Sequence, residues 1–181
     1  MILRNLIFCM SLILKSFYTL KLKKKNIVEI CKLKDKEWKY GLKSQIKFFN
    51  ANYKKRDIHN LMFLKKNLIG YTALRKRPYT DGKHKKSYLL FDTLIVDKMY
   101  RKKNFAANLM KYNNYIIKKN KKLSFLVCKK KMISFYKKFN WKVLNKKKIN
   151  ILDYDFKSNG MFYNFTKNDL KKNKFEFYFN S

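Results

Sequence analysis

Apolar positions along this chain change period several times, and each change marks an expected element. Asn26 to Leu33 holds Ile27, Val28 and Ile30, a β-branched cluster that predicts a strand. Asp35 is an N-cap residue type, and after it Trp38, Leu42, Ile46 and Phe49 follow at three- and four-residue steps, predicting a helix to Asn52. Leu61 to Leu64 and Leu68 to Leu74 are short apolar runs parted by Lys65, Lys66 and Asn67, which suits a hairpin. Asp81-Gly82 signals a turn in a polar loop. Tyr88 to Val96 then runs apolar except for Asp92 and Thr93, as a strand buried on both faces would.

Downstream, Phe105, Leu109, Tyr112 and Ile116 recur at i, i+4, i+7 and i+11, with Ala106, Met110 and Ile117 beside them, the stripe of an amphipathic helix. Leu123 to Cys128 reads as a strand. Met132, Phe135, Tyr136 and Phe139 read as a second helix, and Trp141 to Leu144 as the next strand. Phe162 to Phe165 and Phe175 to Phe179 offer one or two more. The expected order is β-α-β-β-β-α-β-α-β. Strands alternating with helices after residue 88 imply a right-handed crossover, so 88–96 and 123–128 should lie parallel in an otherwise mainly antiparallel sheet. The fold class is therefore α/β (α+β), a mixed sheet flanked by helices.

Three segments are expected: an apolar and basic N-terminal extension, 1–22; one domain, 23–166; and a C-terminal segment, 167–181, able to add an edge strand. Leu6 to Leu14 is an apolar stretch of nine residues broken by Ser11, whereas a spanning helix needs about twenty. No small-residue cleavage site precedes the Lys21 to Lys25 run, so neither stable membrane insertion nor an export signal is expected; an amphipathic extension, an early start with Met10 as another start, and a membrane-surface anchor are the readings left.

Composition sharpens this picture. At 181 residues the chain is long enough for one domain with a real core, and 46% hydrophobic residues with only 4 Gly and 1 Pro exclude collagen-like, linker-like and disordered classes. The charge is unusual: 46 Lys+Arg against 11 Asp+Glu give +35. Two readings stand. One is a non-catalytic basic protein whose surface binds nucleic acid. The other is codon-composition drift, because 41 of the 46 cations are Lys, only 5 are Arg, and Asn reaches 19 while Ala stays at 4. Arg is the usual residue for bidentate phosphate and guanine contacts. Either way the chain should attract polyanions at low salt. Cys9, Cys31 and Cys128 are odd in number and widely spaced, and His59 and His84 fit no ligand pattern, so no disulfide framework and no metal are expected in a cytoplasmic, reducing setting.

The segment with the most chemistry is Thr93 to Ala106, where a strand ends, a short basic loop turns and a helix begins. Free backbone N–H groups and the positive end of a helix dipole converge there, as at phosphate sites. Arg101-Lys102-Lys103-Asn104-Phe105-Ala106 resembles the Arg/Gln-x-x-Gly-x-Gly/Ala pyrophosphate loop of the GNAT N-acetyltransferases, with Asn104 at the first Gly position and Ala106 at the second. Asn is the non-Gly residue best suited to a left-handed backbone. About 30 residues on, Met132 to Trp141 is similar to the family's Leu-Tyr-Glu-Lys-x-Gly-Phe segment, with Phe135-Tyr136 and Trp141 at the expected offsets and Asn140 where Gly is usual. The resemblance spans roughly residues 26 to 165.

What the resemblance implies is acetyl transfer from acetyl-CoA to a primary amine by direct attack on the thioester, with the parallel strands splayed to admit the cosubstrate. Leu94, Ile95 and Val96 would pair with the pantetheine arm, and Arg101 to Ala106 would hold the diphosphate. Tyr136 would protonate the departing thiolate, which a phenol can do where an ionised carboxylate cannot; it also belongs to an apolar stripe, and a packing role stands beside the catalytic one. Asp92 matches a position where the family often carries the acid that orders a water for deprotonating the ammonium. A carboxylate bonded to the backbone at a bulge is the other reading. His84 is a second candidate base, and Lys129 stands where many relatives have Asn. The acceptor is a small-molecule or protein amine, and the assembly a monomer or homodimer. Gly70 to Arg77 resembles the aminoglycoside 2'-N-acetyltransferase branch, but a +35 chain is a poor host for a polycation.

Overall fold

The sheet begins inside the segment expected to be an extension. In a computed structural model, which describes residues 12–80, 84–144, 149–155, 159–165 and 175–180, Leu12–Tyr18 forms strand β1. It pairs antiparallel with β2 (Ile58–Leu64) along its whole length, from Leu12↔Leu64 to Tyr18↔Ile58. Leu12, Leu14 and Phe17 are half-buried against the core. Residues 12–22 are thus part of the domain, a correction with a plain cause: Leu12 and Leu14 face inward while Ile13 and Lys15 face out, a strand period within a run too short to span a bilayer.

The second correction concerns the next element. Lys24–Trp38 is one helix, α1, where the sequence pattern expects a strand over 26–33 and a helix from Asp35. Ile30, Cys31, Leu33 and Lys34 are its buried residues, at i, i+1, i+3 and i+4, so packing of one helical face overrides the β preference of Ile27, Val28 and Ile30. Asp35 lies within that helix. Its carboxylate accepts the Gly41 N–H at 2.7 Å, after the chain has turned through left-handed Lys39 (φ 54°) and Gly41 (φ 84°) into α2 (Leu42–Asn52). Gly is suited to such a φ, and Lys39 takes it as the C-cap.

The remaining elements follow the expected order. β2 and β3 (Asn67–Thr80) form the hairpin over Lys65 and Lys66, and β4 (Lys85–Val96) pairs antiparallel with β3. The Asp81-Gly82 turn lies outside the described residues. α3 (Phe105–Lys119) crosses to β5 (Ser124–Cys128), which runs parallel to β4. The second expected helix contracts to a 3-10 turn, Lys130–Met132, and a five-residue α4 (Ile133–Lys137). β6 (Lys142–Val143), β7 (Ile149–Ile151), β8 (Asn159–Tyr163) and β9 (Phe175–Phe177) complete a sheet of order β1-β2-β3-β4-β5-β8-β6, with β9 joining β3 to β7. One face is covered by α1 and α2 over Tyr71, Ala73 and Ile95. The opposite face carries α3 and α4 over Leu74, Leu89 and Phe91.

Two irregularities in β4 matter most. The first is a β-bulge: Ala73 pairs with Thr93 but Leu74 with Phe91, so Asp92 is an extra residue. Upstream of it, Leu89 and Phe91 face α3; downstream, Leu94 and Val96 face α3 while Ile95 joins the α1 face. The bulge therefore reverses the phase of the strand. The second irregularity is the brevity of the parallel pairing. β4 meets β5 only at Leu89↔Ser124 and Leu90↔Phe125, closed by Leu89 N–H to Leu123 O and by the Ser124 hydroxyl to Leu89 O. Beyond Leu90 the two strands part.

Candidate active site

The gap between β4 and β5 leaves the β5-facing backbone edge of residues 91–96 without a strand partner, while the other edge is held by β3 through Leu94↔Thr72, Ile95↔Tyr71 and Val96↔Gly70. An extended ligand can add to such an edge as a strand would. Leu94, Ile95 and Val96 are thus where an open edge exists, with the Val96 carbonyl already accepting Arg101 Nε at 3.0 Å.

At the end of that edge, Asp97 starts a 3-10 turn, Lys98–Tyr100, by accepting the Met99 N–H. Burial alone would raise the Asp97 carboxyl, but bonds from Lys36 and Met99 and the nearby Arg101 charge outweigh it and hold the group below the usual range. The loop then reaches Lys102 (φ 66°) and Asn104 (φ 57°), both left-handed. Asn104 is the N-cap of α3 and makes no side-chain cap, and the first turn has no acid. The N–H groups of Phe105, Ala106 and Ala107 therefore have no acceptor within the helix and point to the loop. Arg101, Lys102, Lys103 and Asn104 are all exposed around them. That arrangement fits a diphosphate in charge and in free donors. Arg101 itself is engaged: its Nη2 donates to Glu37 of α1 at 2.6 Å.

Tyr136 lies on the α3 face beside the gap. Its ring packs edge-on against Phe91 (6.1 Å between centroids) and against Phe135 and Trp141, and it is 9% exposed. Burial, with a contribution from Cys128, raises its phenol well above its ordinary value. Asp92 opens on the other face of the same strand. Its carboxylate accepts the Tyr53 hydroxyl at 2.8 Å and the Thr93 hydroxyl at 3.3 Å, and Arg75 Nη1 stands 3.8 Å away. It is at a bulge, as one reading expected, but its hydrogen bonds come from the side chains of Tyr53 and Thr93 rather than from the backbone. Its side chain is 23% exposed and lines a cleft of ≈ 650 Å³ between α1, α2 and β4, together with Thr93, the next residue. His84 is exposed eight residues upstream, roughly 25 Å along an extended strand from Asp92. Lys129 is exposed at the end of β5. Among the described residues no cluster of three metal-ligating side chains occurs, and no helix is long and apolar enough to cross a membrane.

Several residues around Asp92 and its cleft escape a reading of sequence alone: Lys34 and Gln45, which line the cleft, and Tyr53 and Arg75, which contact Asp92. Lys34 and Gln45 did carry a signal, since each is a polar residue on the apolar stripe of its helix, four residues after Ile30 and four before Phe49. Tyr53 and Arg75 reach Asp92 from 39 and 17 positions away, and only the sheet brings them there.

No protein-family model matches the chain, and no curated protein is detectably similar in sequence. Solved structures are similar in fold. The GNAT family N-acetyltransferase YhbS of Escherichia coli, determined with CoA, aligns over 94% of this chain and 90% of its own with a TM-score of 0.67 at 12% identity. The fold is the GNAT fold. An acyl-CoA N-acyltransferase from Pseudomonas aeruginosa covers 84% of this chain and 99% of its own (TM-score 0.63, 12% identity). The PaiA N-acetyltransferase of Thermoplasma acidophilum, also with coenzyme A, covers 86% and 100% (TM-score 0.56, 19% identity). The strand order, the parallel β4–β5 pair and the flanking helices described above are the features of the GNAT fold that this chain carries.

Proposed function

We propose that the protein is an acetyl-CoA-dependent N-acetyltransferase acting on a primary amine. The observation that carries this reading is the open edge of β4 running directly into a loop of left-handed residues and an uncapped helix N-terminus. Acetyl-CoA would supply an activated acyl group on a good leaving thiol. The chain's residues do the rest. The edge at Leu94, Ile95 and Val96 orients the pantetheine arm, and a main-chain N–H there is placed to stabilise a developing oxyanion. The free amides of Phe105 and Ala106, with Arg101, Lys102 and Lys103, bind the diphosphate, and Asn104 supplies the turn. Tyr136, kept protonated by burial, donates its phenolic proton to the departing thiolate. Asp92 accepts a proton from the acceptor ammonium through a water, so that the neutral amine attacks the thioester carbonyl. Free Cys31 and Cys128 accord with a reducing cytoplasm.

The test is calorimetry with acetyl-CoA, with CoA and desulfo-CoA as controls, followed by thiol release against a panel of amines. Binding of all three with saturable stoichiometry of one is the expected outcome. Failure of any of them to bind overturns the reading.

A further inference from the structure

Lys34 and Asp92 line this cleft and Arg75 stands behind Asp92, so the charge around it is more positive than negative, and that imbalance is buried. Lys34 is 4% exposed, with Nζ over the rings of Phe48 (4.6 Å), Tyr53 (5.6 Å) and Trp38 (5.7 Å). Arg75 is 5% exposed, and its guanidinium stands 5.9 Å over the same Tyr53 ring. Two cations therefore share one aromatic ring, and the carboxylate nearest to them is Asp92, which already accepts from Tyr53 and Thr93. The neighbouring Arg77 is no part of this imbalance, since Asp57 pairs with it at 3.0 Å.

Three donors here are also unspent. Nε and Nη2 of Arg75 and Nε2 of Gln45 are buried without a hydrogen-bond partner among the described residues. Gln45 is 3% exposed and lines the cleft beside Lys34. Buried donors left unpaired are costly, and they are rare outside sites that await a partner. Nε and Nη2 form one edge of a guanidinium, the edge that matches two oxygens of a carboxylate or phosphate. Desolvation also pushes the Lys34 ammonium below its ordinary value, which an anion would reverse.

We propose that the acceptor amine carries an anionic group, a carboxylate or phosphate, which seats against Lys34 and Gln45 with Arg75 behind it while the amine reaches toward Asp92. The exposed aromatic faces of Trp38, Tyr40 and Tyr154 at the cleft give this acceptor an apolar or aromatic body. The same charges repel polyamines and aminoglycosides. This inference rests on the acetyltransferase reading above and names its substrate class.

The experiment uses the full chain with acetyl-CoA and matched probes: L-phenylalanine, L-phenylalaninamide, O-phosphoethanolamine and spermidine. Acetyl-CoA affinity is measured first, and a failure there sinks the acetyltransferase reading itself. With that affinity in hand, a carboxylated or phosphorylated probe is expected to exceed the amide by at least about tenfold in kcat/KM, the size of one charged hydrogen bond. The phenylalanine and phosphoethanolamine arms show which anion is preferred. Lys34→Met and Gln45→Leu should each reduce the ratio to near unity with acetyl-CoA affinity unchanged, whereas Lys111→Met, which removes an exposed charge on α3, should leave the ratio alone. The inference is overturned if phenylalaninamide or spermidine is used as well as the anionic probes, if no probe is acetylated at millimolar concentration, or if Lys111→Met erodes the ratio as much as Lys34→Met.

Discussion

The Tyr53 hydroxyl donates to the Asp92 carboxylate at 2.8 Å, joining the C-terminal end of α2 to the bulge of β4. Burial, and then the Asp92 charge, hold the Tyr53 phenol well above its ordinary value, so it remains a donor throughout the neutral range. Tyr53→Phe keeps the ring near Lys34 and Arg75 and deletes the hydroxyl that bonds to Asp92 and to Tyr71. A hydrogen bond to a charged group contributes about 1.5–3 kcal/mol, and the partial exposure of Asp92 places the loss near the lower end. Denaturant unfolding should record that loss, and kcat should fall while acetyl-CoA affinity holds. Unchanged turnover in Tyr53→Phe would remove Asp92 orientation from the mechanism.

Arg101 is shared between Glu37, the Val96 carbonyl and the proposed diphosphate. Arg101→Ala should weaken acetyl-CoA binding by about 1.5–3 kcal/mol. Glu37→Gln should strengthen it, because the guanidinium is released from a competing carboxylate. Isothermal titration reads both, and weaker binding in Glu37→Gln would make Glu37 a support for Arg101 rather than a rival.

Tyr136→Phe preserves the contacts with Phe91, Phe135 and Trp141, so thermal stability and acetyl-CoA affinity should be close to those of the parent. Turnover should drop by about 10²–10⁴, the usual range for a general acid. Wild-type turnover would leave Tyr136 a packing residue.

A chain shortened to begin at Lys23 loses all seven pairs of β1 with β2 and uncovers the edge of β2. It should unfold at lower temperature and associate in solution, as melting and light scattering would show. Equal stability would mean that β1 is dispensable despite its pairing.

His59 is buried between Thr19, which meets Nε2 at 2.8 Å, and the Tyr71 hydroxyl, which meets Nδ1 at 2.7 Å, with Phe49 stacked on its ring. Burial, aided by the Lys34 charge, lowers its pKa to about 3. The unfolded chain thus takes up this proton near pH 6.5 and the folded chain only near pH 3. Stability is complete above about pH 6.5 and falls below it, by up to about 1.4 kcal/mol per pH unit. Urea unfolding at pH 7 and pH 5.5 should show the fall, and His59→Gln should flatten it.

Much of the fold was legible because its periods are clean. Phe105, Leu109, Tyr112 and Ile116 gave α3, and Tyr88 to Val96 gave β4 and its parallel partner. The loop from Arg101 to Ala106 and the offset of Tyr136 were visible as motifs. α1 was misread because Ile27, Val28 and Ile30 favour a strand locally, whereas the chain buries Ile30, Cys31, Leu33 and Lys34 on a helical face. β1 was hidden inside a question about membranes. The proposed acceptor side of the cleft was least legible: Lys34, Gln45, Tyr53 and Arg75 come from three elements, and no local pattern encodes a meeting made by the twist and register of a sheet.

The extra residue in β4 makes the site a matter of parity. Removal of Asp92 alone, three nucleotides in a gene, would put Ala73 and Leu74 back in step with their partners and leave Thr93 to Val96 on the faces they already hold, losing only the carboxylate and the kink. Loss of a residue beyond the bulge is different: without Leu94, Ile95 would turn to the side of Leu109 and Val96 to the side of Tyr71. Beyond its bulge, this strand tolerates substitution far better than it tolerates a change in count.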